Sequence, residues 1–377
     1  MRILFQGAGA IGIAGAAIFT DAHEVAVVSR SAGADGRAAF PRRVSALDPT
    51  DSGRTGVGHG SWSVTSVAAT RRVTITDWAE AAAAGSWDLT VLTTRPSDLD
   101  PAVATSIRNI SPAFIAITSQ VDGDLERARA EFPGTEVVVF GPAFLSERLD
   151  AGVPLGSRNA AENKNRTDDR EDAAGRTNKP GREVRFWAPA GAPRFLVAGQ
   201  HATVRSLARR LGRLILPVPM DAVLLPPAVF IPFVAELTVR GGNWAALKSH
   251  LSRPAEAAGE AMRAELGAPM PVFVSAARAV LDTLERIVPI DVTSYAGRHF
   301  ARHVGQTRDM LTGWAESADS AHALRELLAA LDDSDVSGAA SAEERTQSAT
   351  STEDGKPSAA SATVNGGVRS VRRGGAS

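Results

Sequence analysis

Cysteine is absent from the 377 residues. That excludes disulfides, thiolate nucleophiles and sulfur-ligated metals together, and it suits a cytoplasmic location. Aromatic residues make up only 5% of the chain, with a single tyrosine, Tyr295. No sign of charge dominates: the formal net charge is -1. A basic stripe with interleaved aromatics is therefore missing, and nucleic acid and anionic membrane are not expected partners. No apolar run free of proline and charge is long enough to span a bilayer, so a soluble chain with a small-molecule ligand is expected.

Local absences are equally informative. Residues 158–183 contain no Val, Ile, Leu, Met or aromatic side chain and are dense in Asn, Asp, Arg and Lys. Such a segment buries too little to offset its ordering entropy, and it reads as a disordered insertion in a surface loop. Residues 333–377 are rich in Ser, Ala and Gly, lack aromatics and carry balanced charge, so a disordered tail is expected there.

What is present begins at the first strand. Ile3-Leu4-Phe5-Gln6 runs into Gly7-Ala8-Gly9-Ala10-Ile11-Gly12, the spacing G-x-G-x-x-G. Gly7 allows a tight turn, Gly9 a close approach of backbone to pyrophosphate, and Gly12 close helix–sheet packing. The phosphates would rest on free N–H groups at a helix N-terminus, contributed by Ala8, Gly9, Ala10 and Ile11. A second apolar strand, Glu24 to Val28, follows at the distance a βαβ unit requires. A secretory leader is the competing reading of Arg2 and the apolar stretch to Phe19. Three glycines in that stretch would break the helix such a leader needs. The second strand ends in Ser29-Arg30-Ser31, and a guanidinium flanked by hydroxyls suits the 2'-phosphate of NADP rather than the free ribose of NAD.

Short strands and helices alternate as far as about residue 217, among them the strands Leu89 to Thr93 and Ala113 to Thr118. From residue 218 to 332 the pattern is helical. The fold class expected is α/β, an N-terminal Rossmann-type dinucleotide-binding domain (1–217) followed by an all-helical C-terminal domain (218–332). Pro226, Pro227 and Pro232 fall within one apolar helical stretch and predict a kinked or broken helix.

The glycine motif, His23-Glu24-Val25 running to Arg30, the strand end Leu92-Thr93-Thr94-Arg95, and the turn from Phe140 to Asp150-Ala151-Gly152-Val153 together resemble the ketopantoate reductase (2-dehydropantoate 2-reductase) family. The resemblance implies hydride transfer from NADPH to a 2-oxo acid or related ketone, with a helical-domain lysine as acid. It also places Thr93, Thr94 and Ser119 beside the cofactor and implies a possible homodimer. This chain departs from the pattern, because no basic residue occurs between Arg213 and Arg240. Arg95 stands where the family has a lysine, and Thr118-Ser119-Gln120 replaces its Asn-Gly. Arg95, Ser119 and Lys248 are the candidate catalytic groups, with Thr307, Asp309 and Glu316 as candidates for the late hydroxyl and carboxylate. Glu236, on an apolar helix, is either functional or at a helix edge. His299 and His303 have helical i, i+4 spacing but lack the glutamate of a zinc motif, and no metal is expected. A non-catalytic NADP(H)-binding sensor or scaffold is the alternative.

Arg30→Ala is expected to weaken NADPH binding by about 1.5–3 kcal/mol, the worth of a hydrogen bond to a charged group, and to leave NADH binding unchanged. Fluorescence titration with both cofactors checks this. Equal affinity of the unsubstituted protein for the two would remove Arg30 from the phosphate site.

Overall fold

A computed structural model describes residues 1–29, 61–65, 70–149, 183–268, 270–288, 292–293, 295–296, 304–318 and 320–334. Arg30, His299, His303, most of the polar insertion and residues 335–377 lie outside the described residues.

Eleven strands form one sheet: β1 (Arg2–Gln6), β2 (Glu24–Val28), β3 (Ser61–Thr65), β4 (Thr70–Thr76), β5 (Leu89–Leu92), β6 (Phe114–Ile117), β7 (Glu136–Pro142), β8 (Leu145–Leu149), β9 (Glu183–Trp187), β10 (Phe195–Ala198) and β11 (Ile215–Pro217). Their order is β11-β10-β7-β6-β5-β1-β2-β4-β3-β9-β8. The centre, β7-β6-β5-β1-β2-β4, is parallel throughout. β10 joins it antiparallel, and antiparallel pairs β3–β4 and β8–β9 mark the far end. The central strands are short and apolar on both faces, as sheets covered on both sides require.

The sheet positions its first helix, α1 (Ala10–Phe19), in an unusual way. Residues Gly12 to Phe19 are all buried, because α1 packs on β1 and β2 and the far strands β8 and β9 curl over it. A helix covered all round can be apolar all round, which explains a run that otherwise imitates a leader peptide. Phe19, at the end of α1, stacks on Phe195, which lies tilted against Phe140, all within the largest core cluster of the described residues. The opposite face of the sheet is covered by α2 (Trp78–Ala83), α3 (Pro101–Ile110) and α4 (Asp124–Glu131). Asp77 and Asp100 cap α2 and α3 by accepting backbone N–H bonds from Glu80 and Ala102.

α5 (His201–Leu211) packs on β7, β10 and β11, and the helical part follows. It comprises α6 (Met220–Val239), α7 (Trp244–Ser249), α8 (Ser252–Leu266), α9 (Val274–Ile287), α10 (Val304–Ser317) and a helical segment, α11, from residue 322. Residues 1–331 form one compact unit. Leu145 and Trp187 of the curled strands pack into the cluster made by α6, α7, α8 and α9, and the Tyr295 hydroxyl donates to the Ser146 carbonyl at 3.2 Å.

Three sequence expectations change here. Residues 145–149 read as a turn, yet they form β8, an edge strand paired with β9 from beyond the insertion. Residues 215–217, to which the sequence assigned no element, add β11 alongside β10. Neither strand has an apolar pattern of its own, and each exists through a partner distant in sequence. Glu183, assigned to the insertion, begins β9.

The third concerns α6, which runs unbroken over 20 residues despite Pro226, Pro227 and Pro232. Both residues that would normally donate to the Val223 carbonyl, at i+3 and i+4, are prolines without an N–H. The Gln120 side chain supplies the missing donor, with Nε2 at 2.8 Å from that carbonyl. Room for the amide exists because Gly141 has no side chain: a Cβ there would lie 3.1 Å from the Gln120 nitrogen. Length and hydropathy alone would let α6 cross a membrane, but it packs on α8 and α10 with half its residues buried.

Gln120→Ala is expected to cost about 1–3 kcal/mol of stability by leaving a carbonyl unpaired. Pro227→Ala restores a local N–H, so in that background the cost should largely vanish. A double-mutant cycle by urea denaturation reads the difference.

Candidate functional site

Strand order places the candidate residues before any side chain is considered. β1 is flanked by β2 on one side and β5 on the other, so the chain changes direction between β1 and β5. In open α/β sheets the crevice beyond the carboxyl ends of the strands at such a point binds ligand. Because β1, β2, β5 and β6 are parallel, Gly7, Ser29, Thr93 to Arg95, and Thr118 to Gln120 emerge at that same edge.

The three motif glycines do different work. Gly7 has φ +101°, open to glycine and strained for other residues, and a Cβ on it would meet Thr93 Oγ1 at 2.5 Å. A Cβ on Gly12 would sit 2.1 Å from the Gly7 carbonyl oxygen, so glycine alone lets α1 start beneath the turn. Gly9 has ordinary extended backbone, φ -79° and ψ 177°, and a Cβ on it would meet nothing within 4 Å. Gly9 caps α1 without any side-chain hydrogen bond, and the first turn carries no acidic residue. The result is an uncapped, positively polarised helix end facing open space, a cradle that fits a pyrophosphate.

Neighbouring loops are tied to this turn. Gly7 N–H donates to the Val28 carbonyl at 2.9 Å, which sets the turn against the end of β2, and Ser29 N–H donates to Thr76. Gln6 locks the β5 end: its Nε2 donates to Thr94 Oγ1 at 3.0 Å, and its Oε1 accepts from Thr94 N–H at 3.2 Å. Thr93 Oγ1 donates to the Gln6 carbonyl at 2.7 Å. Gln6 was not a sequence candidate, although its place immediately before Gly7 was the available signal.

Arg95 extends from the same loop into a cluster of carboxylates. Its Nε donates to Asp124 Oδ2 at 3.2 Å, and its Nη1 pairs with Asp309 of α10. Asp124, at the start of α4, is 2% exposed, and it also accepts from the Ser119 hydroxyl at 2.5 Å. Burial works against the Arg95 charge, but hydrogen bonds to Asp309 and Asp124 outweigh it and hold its pKa above the ordinary arginine range. Arg95 thus links the Rossmann part to the helical part as an ion pair across the crevice. Ser119 is buried, with its proton committed to Asp124. Among the late candidates, Asp309 pairs with Arg95, while Thr307 is buried in α10 and Glu316 is exposed.

The other candidates lie elsewhere. Lys248 donates to Asp282 at 3.0 Å and to Glu285 at 3.1 Å, both on α9, and these bonds raise its pKa. Lys248 also borders a depression of about 390 Å³ with Asn243, Trp244 and Glu285, set among α7 and α9 rather than at the glycine turn. Glu236 is fully buried and pairs with Arg240 at 2.8 Å and Arg253 at 2.5 Å, fastening α6 to α8. Its burial is that of a structural ion triad. Tyr295 is buried and its pKa pushed up by desolvation.

Three-dimensional comparison agrees with this topology. A 2-dehydropantoate 2-reductase from Geobacter metallireducens GS-15 superposes with a TM-score of 0.52 at 13% identity, covering 88% of this chain and 99% of that one. The chain has the fold of the 2-dehydropantoate 2-reductases. The reductase from Methylococcus capsulatus gives a TM-score of 0.51 at 17% identity, over 89% of this chain and 97% of the other. D-mandelate dehydrogenase in complex with NADH gives 0.54 at 11% identity, over 89% and 99%. No protein-family profile and no curated protein sequence matches the chain. The reductase fold is therefore shared at the level of architecture.

The glycines separate by experiment. Gly12→Ala is expected to destabilise the protein by several kcal/mol because backbone must move. Gly9→Val should fold, at a cost of only about 1 kcal/mol for a poorer N-cap, and yet lose dinucleotide binding. Thermal unfolding with and without NADPH distinguishes the two.

Proposed function

We propose that this protein is an NADP(H)-dependent oxidoreductase that acts on a small carbonyl compound in the crevice between β1, β5 and α10. The observation that carries the reading is the open cradle over Gly9, at an uncapped helix N-terminus and at the switch point of the sheet. Backbone N–H groups from Ala8 to Ile11 would hold the pyrophosphate, Ser29 and Arg30 the 2'-phosphate, and Thr93 and Thr94 the nicotinamide side. The cofactor supplies a hydride when bound.

The chain's own groups orient and stabilise rather than deliver a proton. Arg95 offers fixed positive charge and N–H donors near a developing alkoxide, and a guanidinium retains its proton at physiological pH. Ser119 has its proton on Asp124, and α6 has no lysine. Loss of a placed general acid costs about 10²–10⁴ in rate, so turnover is expected to be slow, with water delivering the proton. The same neutralised Arg95 is what favours the second reading, a non-catalytic NADP(H)-binding sensor. A cytoplasmic site of action fits a chain without cysteine.

NADPH deuterated at the transferable C4 position decides between the two. Deuterium appearing on the carbinol carbon of a product from a panel of 2-oxo acids and ketones is the expected result. Tight NADPH binding with no label transferred would leave the sensor reading.

A further inference from the structure

Asp309 of α10 pairs with Arg95 at the crevice. Arg95 is a cation at the crevice edge, held between the β5 loop and α10, and its side chain is only 17% exposed. One edge of its guanidinium is taken by Asp124, which is itself buried and fixed by Ser119. Nη1 pairs with Asp309, whose side chain is 51% exposed and so stands at the open side of the cluster. One guanidinium facing two carboxylates leaves the cluster with a surplus of negative charge. An incoming carboxylate meets like charge around an arginine already paired twice, whereas a neutral carbonyl compound meets no such repulsion.

We propose that Asp309 is a specificity-determining residue that closes the crevice to 2-oxo acids and leaves it to neutral ketones or esters. This rests on the dinucleotide-binding oxidoreductase reading and narrows its substrate class. The prolines and apolar side chains of α6 are consistent with such a substrate, since no basic residue between Arg213 and Arg240 offers a carboxylate a second anchor.

The test uses the full chain with NADPH bound and compares 2-oxoisovalerate with its methyl ester, which differ chiefly in the charge. Ligand affinity is read by tryptophan fluorescence or thermal shift of the NADPH complex, and turnover is read separately. Wild type should bind the ester on the order of tenfold or more tightly than the acid. Asp309→Asn keeps a hydrogen-bonding group of the same size while removing the charge, and it should raise acid affinity by a similar factor with little change for the ester. Arg95→Gln added to Asp309→Asn should abolish that gain, a result that mere loosening of α10 would not produce. Wild type binding the acid as well as the ester overturns the proposal, and needs no variant to fold. An acid affinity unchanged in a folded Asp309→Asn protein overturns it as well. Failure of wild type to bind NADPH at all overturns the oxidoreductase reading, and the proposal falls with it.

Discussion

The approach of α1 to β1 is the constraint on which the rest depends. Gly12 starts the helix directly under the Gly7 carbonyl, and Gly15 places its backbone where a Cβ would lie 2.7 Å from the Phe5 ring. With the helix so close, its N-terminus opens at the crevice beside β1 and β5, and its apolar sides must be covered in every direction. The sheet answers that demand by curling, which brings β8 and β9 across α1 and gives the helical part a surface to pack on through Leu145 and Trp187. Backbone proximity thus organises the core and the binding cradle together.

The second organising feature is the traffic between the two parts of the chain across the crevice. Gln120 reaches from the β6 loop to mend α6, Arg95 reaches from the β5 loop to Asp309, and Tyr295 reaches back to β8. Each joins a loop or strand of the sheet to the helical part. The helix that lacks the expected lysine is therefore an integral wall of the crevice, and its prolines are accommodated by a donor from the other part. Ser119 and Gln120 acquire a physical sense: Ser119 fixes Asp124, and Gln120 replaces a lost backbone N–H.

Much of the fold was legible because its signals are local. The glycine spacing, the apolar central strands and the capping aspartates Asp77 and Asp100 each act within a few residues. β8 and β11 were not legible, since their sequences carry little apolar alternation and their strand state comes from β9 and β10. The expectation of a kinked or broken α6 followed from the right rule about proline, and the helix nevertheless runs unbroken because a replacement donor, Gln120, lies about a hundred residues away in sequence. At the site, the glycines and Thr93 to Arg95 were legible from motif position, whereas Gln6 and Asp124 carried no motif and Lys248 was misplaced by reasoning from proximity along the chain.

The sequence by itself determined the glycine turn and the close start of α1, because turn geometry and close packing demand glycine at fixed spacing, and it determined that α6 brings no lysine to the crevice. Only the tertiary structure decided the charge state of the crevice. Whether Arg95 is a free anion site or a satisfied ion pair depends on Asp124 and Asp309, separated from it by 29 and 214 positions in the chain. Electrostatic energy depends on distance through space, and no spacing in the sequence encodes it.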